Sequence, residues 1–243
     1  MNTSANGYVL GFAVGLCVVV SSMLAVTASV LREPQAAAEE ADRQKNVMLA
    51  AGLIKDGERH SQADLDKLYA DRVTELMLEL SSGETGKVTV EAWKKMKDAE
   101  KLKFRLIAVT RDTAGKDDAL VFPVSGLGLW SILFGYLALE ADGNRVRGIT
   151  FYKHGETPGL GGECENPAWT GLWPGKRILD DQGKLRSITV KKGKVDPKVA
   201  VEKSHYVDGL SGSTITSNGI TNFLKRDLET YRPFLTKAWT KKN

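Results

Sequence analysis

The chain has 243 residues, with 34 Lys and Arg against 30 Asp and Glu, for a formal net charge of +4. None of those charges lies in residues 1–31. The first stretch therefore suits lipid and the rest suits water, which excludes a wholly aqueous globule and, because no second long uncharged apolar run follows, a polytopic membrane protein.

Residues 8–31 form a run of 24 without charge, rich in Val, Leu and Ala. As a helix it would extend about 36 Å against a hydrocarbon core of about 30 Å, so a membrane-spanning helix is expected after a short tail of residues 1–7. Small residues at 26–28 also suit a signal peptidase, but the apolar core is long for a signal peptide and no Lys or Arg precedes it; a retained anchor is the favoured reading. Gly7, Gly11 and Gly15 would share one helix face, as in a packing seam or simply as is common in membrane helices. The charges that follow, from Arg32 to Lys45, nearly cancel, so the positive-inside rule gives no orientation.

Residues 32–93 read as a helical membrane-proximal region. One helix is predicted over 36–53, striped by Val47, Leu49, Ala50 and Leu53, and a second over 61–80. The second opens at Ser61 with Asp64 three residues on, is striped by Leu65, Leu68, Tyr69, Val73, Leu76 and Leu80, and ends at residues 81–83. From 94 to 243 the period shifts toward two. Strands are predicted at 104–109, 119–123, 129–139 and 146–152, with the hairpin turn Asp142-Gly143 before the last of them. A further pair is predicted at 175–179 and 185–191 across residues 181–183, and a final helix from near Ser217 burying Ile220, Phe223, Leu224, Leu228 and Tyr231, with Pro233 bending or ending it. The expected fold class is α+β: a single N-terminal transmembrane helix followed by one domain with a mainly antiparallel sheet flanked by helices.

Acidic and basic residues are interleaved, and the densest basic runs, 191–194 and 241–242, are short. A nucleic-acid surface needs Lys and Arg gathered on one face, so no nucleic-acid partner is expected. The two cysteines, Cys17 and Cys164, exclude an iron–sulfur cluster held by this chain alone and a four-Cys zinc site. His60, His154 and His205 lack ligand spacing, and no metal site is predicted.

Two glycine-bearing segments stand out. Residues 154–163 hold four glycines in ten, a density that lets backbone approach a flat ligand and expose N–H groups to it, or that makes a plain irregular loop. No phosphate-loop or dinucleotide fingerprint accompanies them. In the second segment, 207–217, five of the seven residues from 211 on carry hydroxyls just ahead of the last helix. Helix N-termini favour anionic phosphate, and a simple N-cap needs only one hydroxyl.

Asp208-Gly209-Leu210-Ser211-Gly212-Ser213-Thr214 resembles the flavinylation motif whose last threonine is joined to FMN through a phosphoester. The family usually has Ala where this chain has Ser213. Together with residues 155–162, residues 123–130 and the single span, the motif is similar over nearly the whole chain to the C subunits of bacterial sodium-translocating NADH:quinone reductases, which belong to the FMN-binding domain family. The resemblance implies an electron relay on the periplasmic side of the bacterial inner membrane. Its FMN would be attached by a separate flavin transferase using FAD and magnesium. Electrons would arrive from membrane-embedded iron–sulfur subunits and leave to the FMN-bearing B subunit, while the complex as a whole passes electrons from NADH to ubiquinone and moves sodium.

Carried onto this sequence, the resemblance makes Thr214 the covalent FMN site, with Ser211, Gly212 and Ser213 shaping its loop, Asp208 holding the turn or read by the transferase, and Thr216 the nearest rival attachment point. Glu156, Thr157, Gly159, Leu160 and Gly161 fall to the isoalloxazine side. Trp130 and Trp173 could stack on the ring, but an aromatic beside a glycine loop is more often core packing, and neither is taken as a site residue. A threonine hydroxyl is a weak nucleophile and no His adjoins it, so activation must come from the transferase. Two other readings stay open on sequence: the G subunit of the related complex coupling ferredoxin and NAD, and an anchored binding module without redox chemistry.

Overall fold

The computed structural model describes residues 6–87 and 90–240. Contacts divide the chain into a unit ending at Arg43 and another beginning at Gln44. The first unit is helical, part of α1 (Asn6–Ala50), and its side chains from residue 7 to residue 39 are exposed. Pro34 lies inside α1 without ending it. Among the described residues, α1 is the one helix long and apolar enough to cross a membrane by length and composition.

The second unit is built on a six-stranded antiparallel sheet in the order β2-β1-β3-β4-β5-β6. Its strands are β1 (Val73–Glu79), β2 (Thr85–Lys87), β3 (Phe104–Arg111), β4 (Asp117–Leu127), β5 (Ile132–Glu140) and β6 (Val146–Lys153). Successive residues on a strand face opposite sides, and the two cores divide accordingly. Ile107, Val109, Leu120, Phe122, Leu137 and Leu139 belong to one buried cluster, while Ala108, Val121, Tyr136 and Ala138 between them belong to the other. The second cluster is closed by Val47, Met48, Ala50 and Ala51, by Ile54, and by Leu65 and Tyr69 of α2 (Gln62–Arg72). The first is closed by α7 (Thr214–Thr240), whose Ile220, Phe223, Leu224, Leu228, Tyr231 and Leu235 repeat every three or four residues and are buried. Each such side chain contributes about 1.5–3 kcal/mol when fully removed from water. The Tyr231 hydroxyl donates to the Pro123 carbonyl at 2.6 Å, so the helix is also fixed in register against β4.

The helix predicted over 61–80 stops at Arg72, and its second half is β1. Leu76, Leu78 and Leu80 alternate onto the face that meets α7, and β1 pairs with β3 along its whole length. Pairing with β3 overrode a run of residues compatible with either period. The membrane-proximal region of 32–93 is thus helical only in part. The short helices α3 (Val90–Lys95) and α4 (Asp98–Lys101) follow β2.

The strand pair predicted at 175–179 and 185–191 does not form a ladder. A single bridge joins Leu179 to Leu185, while the amide of Ile178 goes to Asn144 and that of Arg177 to Ser204. Instead β7 (Thr189–Val190) pairs in parallel with β8 (Tyr206–Val207), which follows α6 (Ala200–His205). The last helix begins at Thr214, three residues before its predicted start, and continues through Pro233.

Candidate functional site

Helix α7 begins beside the two glycine-bearing segments. Segment 154–163 leaves β6 and enters a 3-10 turn at Gly161–Glu165, followed by the single-turn helix α5 (Pro167–Thr170). Segment 207–217 leaves β8 and runs into α7.

The segments meet at Glu156. The residue is 6% exposed, and its carboxylate accepts four hydrogen bonds. Oε1 takes the amides of Trp130 (2.9 Å) and Ser131 (3.1 Å), and Oε2 takes the amide of Leu129 (3.2 Å) and the Thr216 hydroxyl (2.6 Å). Burial, the largest single influence, pushes this carboxyl up, but the Thr216 hydroxyl and the three amides together outweigh it and hold the pKa below its ordinary 4.5. The Ser213 hydroxyl in turn donates to Thr216 Oγ1 at 2.9 Å. Gly161 sits against this junction: a Cβ there would lie 2.7 Å from Glu156 Oε2 and 2.9 Å from Thr216 Oγ1. Nearby, the Gly155 amide donates to Ser131 Oγ at 2.6 Å, and His154 accepts the Glu156 amide at Nδ1 while its Nε2 faces Glu165.

A second set of bonds holds the segment before α7. Asp208 accepts the Val195 amide on its carboxylate (2.8 Å) and the Trp169 indole N–H on its carbonyl (2.8 Å). The Gly209 amide donates to the Gly193 carbonyl, and the Leu210 amide to the Ser217 hydroxyl. Gly212 has φ +68°, a backbone that side-chain-bearing residues rarely adopt, and it faces Leu160 Cδ2.

The predicted site residues thus divide. Glu156, Gly161, Ser213 and Thr216 come together and are buried. Ser211, Gly212 and Thr214 are exposed, as are Thr157, Gly159 and Leu160, and Gly212 lies against Leu160. Asp208 is half-buried and committed to the loop. Trp173 is fully buried in the core, whereas Trp130 is 71% exposed. Sequence reasoning missed Trp169, the clamp on the Asp208 carbonyl, because nothing local marks a tryptophan as bonding a residue 39 positions away.

Beside Thr214 lies a recess of about 640 Å³ walled by Lys192, Gly193, Lys194, Asp208, Gly212 and Asn218 among others, within the usual size for a small-molecule site. A second, of about 460 Å³, lies across Asn218 and includes Leu127, Ile215, Phe223 and Arg226. The Thr214 hydroxyl receives no hydrogen bond from any described residue, and it stands at the amino end of a 27-residue helix. Exposed N–H groups, lysines and a free hydroxyl suit a phosphate ester. Among the described residues no group of three His, Cys, Asp or Glu is placed to hold a metal ion.

Comparison with known proteins bears on this geometry. The C subunit of the Na+-translocating NADH-quinone reductase of Pseudomonas aeruginosa is 38% identical, the match covering 92% of this chain and 91% of that one. Its counterpart from Yersinia pestis is 35% identical over 98% and 94% of the two chains. The chain belongs to this family of C subunits. The profile of the FMN-binding domain matches residues 128–229, which include the Glu156 junction and Thr214. The crystal structure of Shewanella oneidensis NqrC superposes with a TM-score of 0.69 at 28% identity, covering 84% of this chain and 99% of that one. This chain is therefore a subunit of an oxidoreductase complex, and its α+β domain shares the fold of that structure.

Proposed function

We propose that this subunit carries FMN covalently on Thr214 and relays electrons between iron–sulfur subunits of the membrane complex and its FMN-bearing B subunit during sodium transport. The observation that carries this reading is an exposed, unbonded hydroxyl at the start of α7, between Ser213, whose hydroxyl bonds Thr216, and Ser217, whose hydroxyl takes the Leu210 amide. When bound, FMN supplies a carrier that exchanges electrons singly or in pairs.

In maturation, Thr214 Oγ would accept the FMN phosphoryl group from FAD, AMP would be the leaving group, and the threonine proton would pass to a base on the flavin transferase, whose magnesium would offset phosphate charge. The chain's own part is to present the hydroxyl. Asp208, Trp169 and Gly209 fix the loop that leads to it, Ser211 and Gly212 leave it open, and the start of α7 stabilises the resulting monoanion by about 0.3–1 kcal/mol near an exposed surface. Thr216 is a poor rival for attachment because its oxygen is fully buried between Ser213 and Glu156. Thr157, Gly159 and Leu160 are exposed, and the isoalloxazine is assigned to them. Residues 8–31 anchor the subunit in the inner-membrane lipid beside its partner subunits, with the FMN domain on the periplasmic side.

The deciding experiment is peptide mass mapping of residues 208–225 after co-expression with the flavin transferase. The FMN mass is expected on Thr214, lost in Thr214→Ala and retained in Thr216→Ala. FMN mass surviving in Thr214→Ala would overturn the assignment.

A further inference from the structure

Glu156 cannot serve the site as an ordinary ligand contact. An ionised carboxylate offers about four acceptor positions, and here four donors occupy them: three consecutive amides of the β4–β5 turn and the Thr216 hydroxyl. The group is buried, and glycines stand on two sides of it: Gly161 against Oε2, and Gly128, where a Cβ would lie 2.8 Å from Oε1. Nothing is left over to reach a ligand. What the carboxylate does is join three pieces of chain that secondary structure leaves separate: the turn 128–131, the glycine segment and the first turn of α7.

We propose that Glu156 is a positioning residue that locks the β4–β5 turn and the amino end of α7 into one unit, setting the surroundings of the group attached at Thr214. The effect on the attached group rests on the assignment of FMN to Thr214; the locking itself does not. The linkage runs from the turn amides through Glu156 and Thr216 to Ser213, the residue before Thr214. The negative charge of the carboxylate is thereby fixed one hydrogen-bond chain from the attachment point. A carboxylate suits this place where a carboxamide does not, because all four partners donate and a Gln would turn an N–H toward at least one of them.

The test is hydrogen exchange by mass spectrometry on the full chain, assembled with its partner subunits and flavin transferase, with the FMN midpoint potential read alongside. In Glu156→Gln, amides 129–131 and 213–218 are expected to exchange about tenfold faster or more, while β1 and β3 keep their protection. With Thr214 still modified, the midpoint potential is expected to move positive as the negative charge is lost. Thr216→Val cuts only the helix limb, so exchange should rise at 213–218 and stay slow at 129–131. This second variant carries the test if the Gln variant does not assemble. Unchanged exchange at both segments, a uniform rise across all peptides, or an unaltered potential at full modification would each overturn the proposal. If wild-type Thr214 proves unmodified, the functional assignment fails while the exchange data still judge Glu156.

Discussion

The two glycine-bearing segments differ in what their small residues are for. In 154–163 the backbone closes on a buried carboxylate, and Gly161 is required because the space a side chain needs is filled by Glu156 and Thr216. In 207–217 the hydroxyls alternate in role: Ser213, Thr216 and Ser217 are buried and bonded, while Ser211 and Thr214 are exposed. A residue that must be modified by another enzyme has to be reachable, and its neighbours have to be immobile enough to present it. One segment supplies the anchor and the other supplies the exposed group.

Breaking the exposed side of this division has the largest expected effect: Thr214→Ala should remove all covalently held flavin, read as loss of in-gel fluorescence after denaturation, with little change in the urea midpoint. Breaking the anchored side should do the reverse. Gly161→Ala forces a methyl group into contact with two oxygens and should cost about 1–3 kcal/mol in urea unfolding of the full chain in detergent. Trp169→Phe keeps most of the ring packing but leaves the Asp208 carbonyl without its indole donor, an expected loss of about 1 kcal/mol by the same measurement. Ser213→Ala removes one hydroxyl bond to Thr216 and should cost about 0.5–1 kcal/mol while Thr214 remains modified on peptide mapping.

Acid sharpens the same contrast. The Glu156 pKa is depressed in the folded chain, so its contribution to stability is complete above the unfolded value near 4.5 and is lost as pH falls through the folded value. Urea midpoints measured from pH 6 down to pH 3 should therefore fall more steeply for wild type than for Glu156→Gln. Asp118, held low by its hydrogen bond to Arg147, contributes to the acid limb of both chains and cancels in the difference.

Much of the sheet was legible because a strand packed against a core on each face reads as a short unbroken apolar run, as 106–109 and 119–123 do. The spacing of Ile220 to Tyr231 likewise announced α7. Where the reading went astray, the local signal was genuinely double: Val73, Leu76 and Leu80 fit a helical stripe, while Leu76, Leu78 and Leu80 fit a strand, and only the presence of β3 chose between them. The sequence alone puts the start of α7 too late because Thr, Ile and Ser carry no strong helical preference, and the bond that holds its first turn comes from Glu156 outside the helix.

By itself the amino-acid order determined an apolar span without charge, a two-faced antiparallel sheet, an amphipathic closing helix and a threonine motif with family resemblance. Those are properties of neighbours along the chain, carried by periods of two or about 3.6 residues and by short motifs. Tertiary structure alone decided that Glu156 and Thr216, 60 positions apart, share a hydrogen bond, that Trp169 caps the carbonyl of Asp208, and that Thr214 is left free beside them. Hydrogen-bond donors and a buried acceptor find each other through the packing of β6, the β4–β5 turn and α7, and no local pattern encodes that meeting.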